Sequence, residues 1–278
     1  MKSPLRKRLP RELKSEFGKY LVVFIMMAIT IGFVSGFLVA DGSMLRAYDD
    51  SFQKYNIEDG YFQTKKKLTP AQKEDIEKSD VKVYENFYIE QKLTNGSTIR
   101  FFKNRKEVDK VCLMKGKMPK KSGEIAVDRM YADNNELKVG DTVKSRKKTF
   151  RITGLVALSD YSALFQNNND TMFDAVKFGV AIVTDKDFEA LNQVKVQYNY
   201  AWIYDKKPAT EKKEKKMAED LMEDMADVVT IESFVPQYQN QSIHFTGDDM
   251  GSDRAMIVML LYIVMAILAF VFGITISN

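Results

Sequence analysis

The sequence predicts an α+β extracytoplasmic domain of two lobes carried between two transmembrane helices. Three observations predict it. Residues 20–40 form an uncharged apolar stretch, and residues 255–276 form a second one. Between them lies a charge-rich segment in which short strands and short capped helices alternate, the pattern of an α+β fold. Charged residues make up 29% of the chain and its mean hydropathy is -0.29, so most of its length is soluble and the apolar content is gathered in those two stretches.

The first stretch, YLVVFIMMAITIGFVSGFLVA, is free of charge and proline. At about 1.5 Å of rise per residue a helix of that length covers a hydrocarbon core of about 30 Å. It exceeds the apolar region of a signal peptide, and Ala40-Asp41-Gly42-Ser43 is a poor cleavage site. Ahead of it stand Lys2, Arg6, Lys7, Arg8, Arg11, Lys14 and Lys19 against Glu12 and Glu16. That excess places the N-terminus in the cytoplasm and residues 41–254 outside the membrane. Leu5, Leu9, Leu13 and Phe17 recur every four residues, so residues 1–19 read as a basic amphipathic helix on the inner leaflet. Within the span Ala28, Gly32, Gly36 and Ala40 share one face, where small side chains let another helix approach closely. Leu45, Tyr48 and Phe52 keep helical spacing, so the helix is expected to continue as a stalk.

Beyond residue 57 the period changes. Residues 57–64 read as a strand, and Thr69-Pro70 supplies a cap and a first-turn proline for a short helix. Residues 81–93 alternate well enough for one long strand, and Asn95-Gly96 turns it back through residues 98–102. Strands are expected at 110–114, 124–127, 142–145 and 150–158, with a helical turn at 128–134. Residues 160–175 contain Asn-Asn-Asn-Asp and read as a surface loop. A strand at 178–183, a capped helix at 185–192, a strand at 194–204 with the sole tryptophan, a charged helix at 208–226 and a strand at 228–235 complete the domain. The simplest division gives a membrane-near lobe from 41–108 and 194–247, with an inserted outer lobe at 109–193.

Residues 255–278 are the second transmembrane helix, with Ala269, Gly273 and Ser277 repeating the small-residue spacing. The segment lacks a basic inner flank, and the expectation is an N-terminal piece of a longer polytopic protein.

Little in the chain supports catalysis. Cys112 has no second cysteine to pair with, and His244 has no second histidine to share a metal. Asp248, Asp249 and Asp253 lack the alternation and glycine of a calcium loop and read as helix caps. No P-loop motif is present, and a net charge of +4 makes no case for nucleic acid. The lysines of 206–216 read as the solvated face of a helix. Sequons begin at Asn95, Asn169 and Asn240, and they carry no meaning in a bacterial host. No catalytic residue, metal site or cofactor is expected.

Residues 114–158 are more specific. Gly116, Lys117 and Pro119 precede Gly123-Glu124-Ile125-Ala126-Val127; then come Leu137, Val139-Gly140-Asp141, Val143 and Ile152-Thr153-Gly154-Leu155. Val139-Gly140-Asp141 suits a turn into a strand, and Gly154 suits close strand packing. This series resembles the extracytoplasmic core of MacB/FtsX-type ABC transporter permeases. The order of parts also resembles the large FtsX-like permeases of Gram-positive bacteria. The resemblance implies a non-catalytic membrane subunit of the cell membrane that works by mechanotransmission, for export or extraction. Its partners would be the lipid bilayer, a cytoplasmic ABC ATPase subunit and a second permease copy or half. The rival reading is a two-span receptor or polysaccharide chain-length regulator with an extracytoplasmic sensing domain.

Overall fold

The computed structural model describes residues 11, 14–145, 148–191 and 193–277. The amphipathic segment expected over residues 1–19 lies largely outside them. The chain divides into two units, one of residues 1–48 with 248–278 and one of residues 49–247.

The first unit holds the apolar parts of two helices, α1 (Phe17–Tyr55) and α6 (Gln241–Ser277). Both are long and apolar enough to cross a membrane. On α1 the half-buried positions are Val23, Met27, Thr30, Val34 and Leu38, followed by buried Asp41. On α6 they are Ile257, Val258, Leu261, Val264 and Leu268, and Arg254 Nε lies 3.9 Å from Asp41 Oδ2. Both series advance mainly in steps of three and four, the spacing of a helix face that meets another helix. Ala28, Gly32, Gly36, Ala40, Ala269 and Gly273 are exposed and stand on other faces.

The second unit is α+β. Its described residues form an eleven-stranded mixed sheet in the order β11-β1-β10-β3-β4-β9-β6-β8-β5, with β2 also on β10 and β7 on β8. The strands are β1 (Gly60–Thr64), β2 (Val81–Glu85), β3 (Tyr88–Lys92), β4 (Thr98–Phe102), β5 (Val111–Gly116) and β6 (Glu124–Asp128), then β7 (Thr142–Lys144), β8 (Thr149–Leu158), β9 (Phe178–Val183), β10 (Val196–Tyr204) and β11 (Ile231–Pro236). The helices are α2 (Pro70–Glu77), α3 (Arg129–Asn134), α4 (Asp185–Ala190) and α5 (Glu211–Ala226). Side-chain caps start each of them: Thr69, Asp128, Thr184 and Thr210 accept from backbone N–H groups of the first turn. Thr69 and Gln72 form a full capping box.

Two hydrophobic cores result. The smaller gathers Phe62, Ile76, Val83, Trp202, Leu221 and Met225. Phe62 stacks on Tyr200 at 5.2 Å and Trp202 on Phe234 at 4.7 Å. Burying an aromatic of 150–250 Å² at about 25 cal/mol/Å² contributes roughly 4–6 kcal/mol before entropy is counted. The larger core gathers β3, β4, β6, β8 and β9 with Tyr131 and Phe188.

Two sequence expectations are corrected here. The strand expected over 81–93 is two strands, because Asn86 and Phe87 step the chain along β10. There β2 pairs with residues 200–204 and β3 with 196–197. Asn86 N donates to Asn199 O at 2.9 Å at the step, and Phe87 wedges edge-on against Tyr198 and Tyr200. The lobe boundary expected at 108/109 also moves. β3 and β4 belong to the larger core, since β4 pairs in parallel with β9 and its buried residues pack there.

Candidate functional site

The feature that stands out in the 49–247 unit is a buried polar network where α1 ends and α6 begins. Asn56 closes α1 in the left-handed region (φ 51), a conformation asparagine tolerates. Its Nδ2 donates to Glu107 O at 2.8 Å, while its carbonyl accepts from Asp109 N and that of Tyr55 from Lys110 N. The 107–110 segment thus clasps the end of α1. At the other helix, Ser162 Oγ donates to the carbonyls of Ser242 and Ile243, Thr246 Oγ1 donates to Ser162 O, and Gln241 N donates to Asn168 Oδ1. The loop after β8 thus holds the first turns of α6. Phe52 and His244 stack at 6.2 Å between the two helices.

Charged side chains lie between these clasps. Arg105 reaches Asp160 through both terminal nitrogens at 2.7 Å and Asn86 Oδ1 at 3.2 Å, and it covers the Phe102 ring. Asp109 Oδ1 accepts from Glu58 N at 2.8 Å and Oδ2 from Asn86 Nδ2 at 3.3 Å. Asn240 Nδ2 donates to Glu58 Oε1 at 3.3 Å. Nearby, Arg100 spans Glu90, Tyr161 OH and Gln166 O and lies over the Tyr88 ring at 4.1 Å.

Three carboxyl groups, Glu58, Asp109 and Asp160, therefore share one close guanidinium. Burial first, then Asp160, lifts the Asp109 carboxyl to about 7 despite Arg105. Burial, then Asp109 and Asp160, pushes Glu58 well above the usual carboxylate range. Burial alone would lower Arg105; the adjoining Asp160 and Asp109 outweigh it and hold the guanidinium charged. The network joins the segments that clasp the end of α1 and the start of α6.

The family-motif residues lie elsewhere in the unit and are structural. Gly116 and Gly154 are register partners between β5 and β8. A Cβ on Gly116, which has φ 78, would stand 2.3 Å from Thr153 O, and one on Gly154 would stand 2.6 Å from Lys117 O. Glu124 Oε2 accepts from Lys120 N and Lys121 N and closes the turn after half-buried Pro119. Ile125 is in the larger core. Gly140 N donates to Ile152 O, Ile152 N to Asp141 O, and Lys138 N to Asp141 Oδ2, which leaves Val139 exposed at the turn. Asp187 ties this part to α4: it accepts from Ser122 Oγ and Gly123 N and pairs with Lys148.

The small-residue face of the membrane unit meets no partner among the described residues. A Cβ on Gly32, Gly36 or Gly273 would find nothing within 4 Å. The acids read as caps are also re-placed: α6 starts at Gln241, Asn240 Oδ1 accepts from Ser242 N, and Asp248, Asp249 and Asp253 are exposed inside the helix. His244 is half-buried in the first turns of α6. Among the described residues no three His, Cys, Asp or Glu side chains are grouped to hold a metal ion.

Sequence reasoning missed the polar network. Arg100 sits inside the otherwise apolar strand Thr-Ile-Arg-Phe-Phe, and Arg105 and Asp109 are four apart in a loop that resembles any solvated loop. The arginine in an apolar strand was the available signal, since unpaired charge is rarely buried.

No family model matches the chain, and no curated protein matches it. Solved structures do. The extracellular domain of the noncanonic ABC-type transporter YknZ from Gram-positive bacteria is 12% identical at a TM-score of 0.32, covering 63% of this chain and 97% of that one. The periplasmic region of MacB from Actinobacillus actinomycetemcomitans is 14% identical at a TM-score of 0.32, covering 63% of this chain and 87% of that one.

Proposed function

We propose that this chain is the N-terminal part of an ABC transporter permease of the MacB/FtsX type. It is a non-catalytic membrane subunit that carries motion between the membrane and an extracytoplasmic domain. The observation that supports this most is the unbroken run of both helices. α1 is continuous from Phe17 to Tyr55 and α6 from Gln241 to Ser277, each combining an apolar stretch with a clasped end. The motif at residues 116–155 and the excess of Lys and Arg ahead of residue 20 agree with it. A cytoplasmic ABC ATPase would drive the spans, and a second permease copy or half would complete the membrane part. The chain itself makes and breaks no bond; its role is to hold two helix ends in a fixed relation while the spans shift.

A helix transmits force only while it is continuous, and consecutive glycines break it at about 1 kcal/mol each. A glycine-rich linker placed between Gly251 and Arg254 in the full-length protein is the test. In a reconstituted complex, insertion and ATP hydrolysis by the partner should persist while transport or downstream activation is lost. Transport that survives the linker removes mechanotransmission through α6. Topology is checked separately in a Cys112→Ser background. Asn169→Cys should react with an impermeant maleimide in intact cells, and labelling only after lysis reverses the orientation.

A further inference from the structure

A polar cavity of ≈400 Å³ opens beside the network, walled by Glu58, Tyr61, Arg100, Asp160, Asn199 and Asn240. Two side-chain oxygens of its lining residues lack a hydrogen-bond partner: Glu58 Oε2 and Asn199 Oδ1. The two residues are only 2% and 6% exposed. Asn199 Oδ1 is an acceptor, and Glu58 Oε2 is one once the carboxyl is ionised, so in that form what each lacks is a donor.

The charges on the walls have one sign in excess. On the walls Glu58 and Asp160 stand against Arg100, which Glu90 engages, while Asp109 and Arg105 lie behind them. We propose that this cavity binds a small organic cation bearing N–H donors, an ammonium or a guanidinium, with Glu58 as its counter-ion and Asn199 accepting a second N–H. The volume is at the lower end of small-molecule sites and far larger than a bare metal ion needs. The site also reaches α6, since Asn240 on its wall bonds both Glu58 and Ser242 N. Cation binding is independent of the permease role: it depends on these side chains and not on an ATPase or on the helices moving.

A proton should leave as the cation binds. The groups facing Glu58 are Asp109, Asp160, Arg105 and Tyr61, and burial with the two aspartates favours its neutral form. Pairing with a cation requires the carboxylate, so binding expels that proton.

The test uses the full chain in phosphatidylcholine nanodiscs, with agmatine as the probe and 1,4-butanediol as its uncharged counterpart. Calorimetric titration near pH 7 in two buffers of different ionisation enthalpy should show agmatine binding with net proton release. The diol should give no binding. Glu58→Gln should weaken agmatine by roughly tenfold or more and abolish proton release. Asn199→Leu should weaken it while keeping the release. Trp202 emission reports whether each variant is folded. If the two acceptors are served by solvent alone, wild-type protein will not bind agmatine at about 10 mM, well beyond the affinity range of a built site. That result overturns the proposal, as does a folded Glu58→Gln variant with unchanged affinity and unchanged proton release.

Discussion

Arg105 and Asp160 form a bidentate ion pair, Nη1 to Oδ2 and Nη2 to Oδ1 at 2.7 Å, with side chains only 6% and 7% exposed. Removing one partner leaves the other charge buried without compensation, which costs about 3–5 kcal/mol. Arg105→Met and Asp160→Leu should each lower the denaturation midpoint of the 49–247 unit by that measure, followed by fluorescence of Trp202, the sole tryptophan. The double variant should be less destabilised than the sum of the two, because neither member of the pair is then left facing the other's absence. Additive losses would mean that the pair is not coupled.

The glycine pair across β5 and β8 makes a second prediction. Gly154→Ala drives a Cβ into Lys117 O and Leu113 Cδ1, at 2.6 and 3.1 Å. Backbone cannot yield as a side chain can, so a loss of roughly 2–3 kcal/mol is expected. Thermal unfolding of the full chain in detergent measures it, and a midpoint equal to wild type would show that the strands part freely.

Stability should depend on pH in a definite direction. Asp109 ionises near its ordinary 3.8 when unfolded and at about 7 when folded. Between those values the folded chain holds a proton that the unfolded chain has lost, so its stabilising effect is complete below the lower value and disappears as pH rises through the upper one. Asp128, lifted to about 7 chiefly by burial, acts in the same direction. Asp187 opposes them: its partners outweigh burial and hold its carboxyl low, a contribution lost only as pH falls through that lowered value. Denaturant midpoints between about pH 4 and 7 should therefore fall with rising pH, by a few kcal/mol in all, and Asp109→Asn should flatten that slope. An Asp109→Asn slope identical to wild type would assign the dependence elsewhere.

Gly32 concerns assembly rather than the fold. A Cβ there has nothing within 4 Å among the described residues, so insertion and the 49–247 unit should be unaffected. If the small-residue face receives a helix of a second copy or half, Gly32→Leu blocks close approach and costs about 1 kcal/mol or more of association. Cross-linking and detergent-stable assembly of the full-length protein read this out. Wild-type assembly would reduce the stripe to composition.

What could be read in the sequence was what depends on neighbouring residues. Thr69-Pro70 set α2, Asn95-Gly96 turned β3 into β4, and Val139-Gly140-Asp141 made the turn towards β7, because each needs only the local backbone. The break at Asn86-Phe87 was hidden because alternation continues in phase across it: Val81, Val83 and then Ile89 are all buried. The site was hidden for a different reason. Glu58, Arg105, Asp109 and Asp160 are spread over about a hundred residues, and each is ordinary where it stands. Only the folding of β1, the 103–109 loop and the segment after β8 against one another makes them a cluster.

β10 gives one edge to β1 and the other to β2 and β3; its residues 200–204 serve the smaller core, and its start, Val196, packs against the larger one. Parting the cores would break the strand's pairing with β3 at residues 196–197. The 49–247 body therefore behaves as a solid handle and not as a pair of jaws.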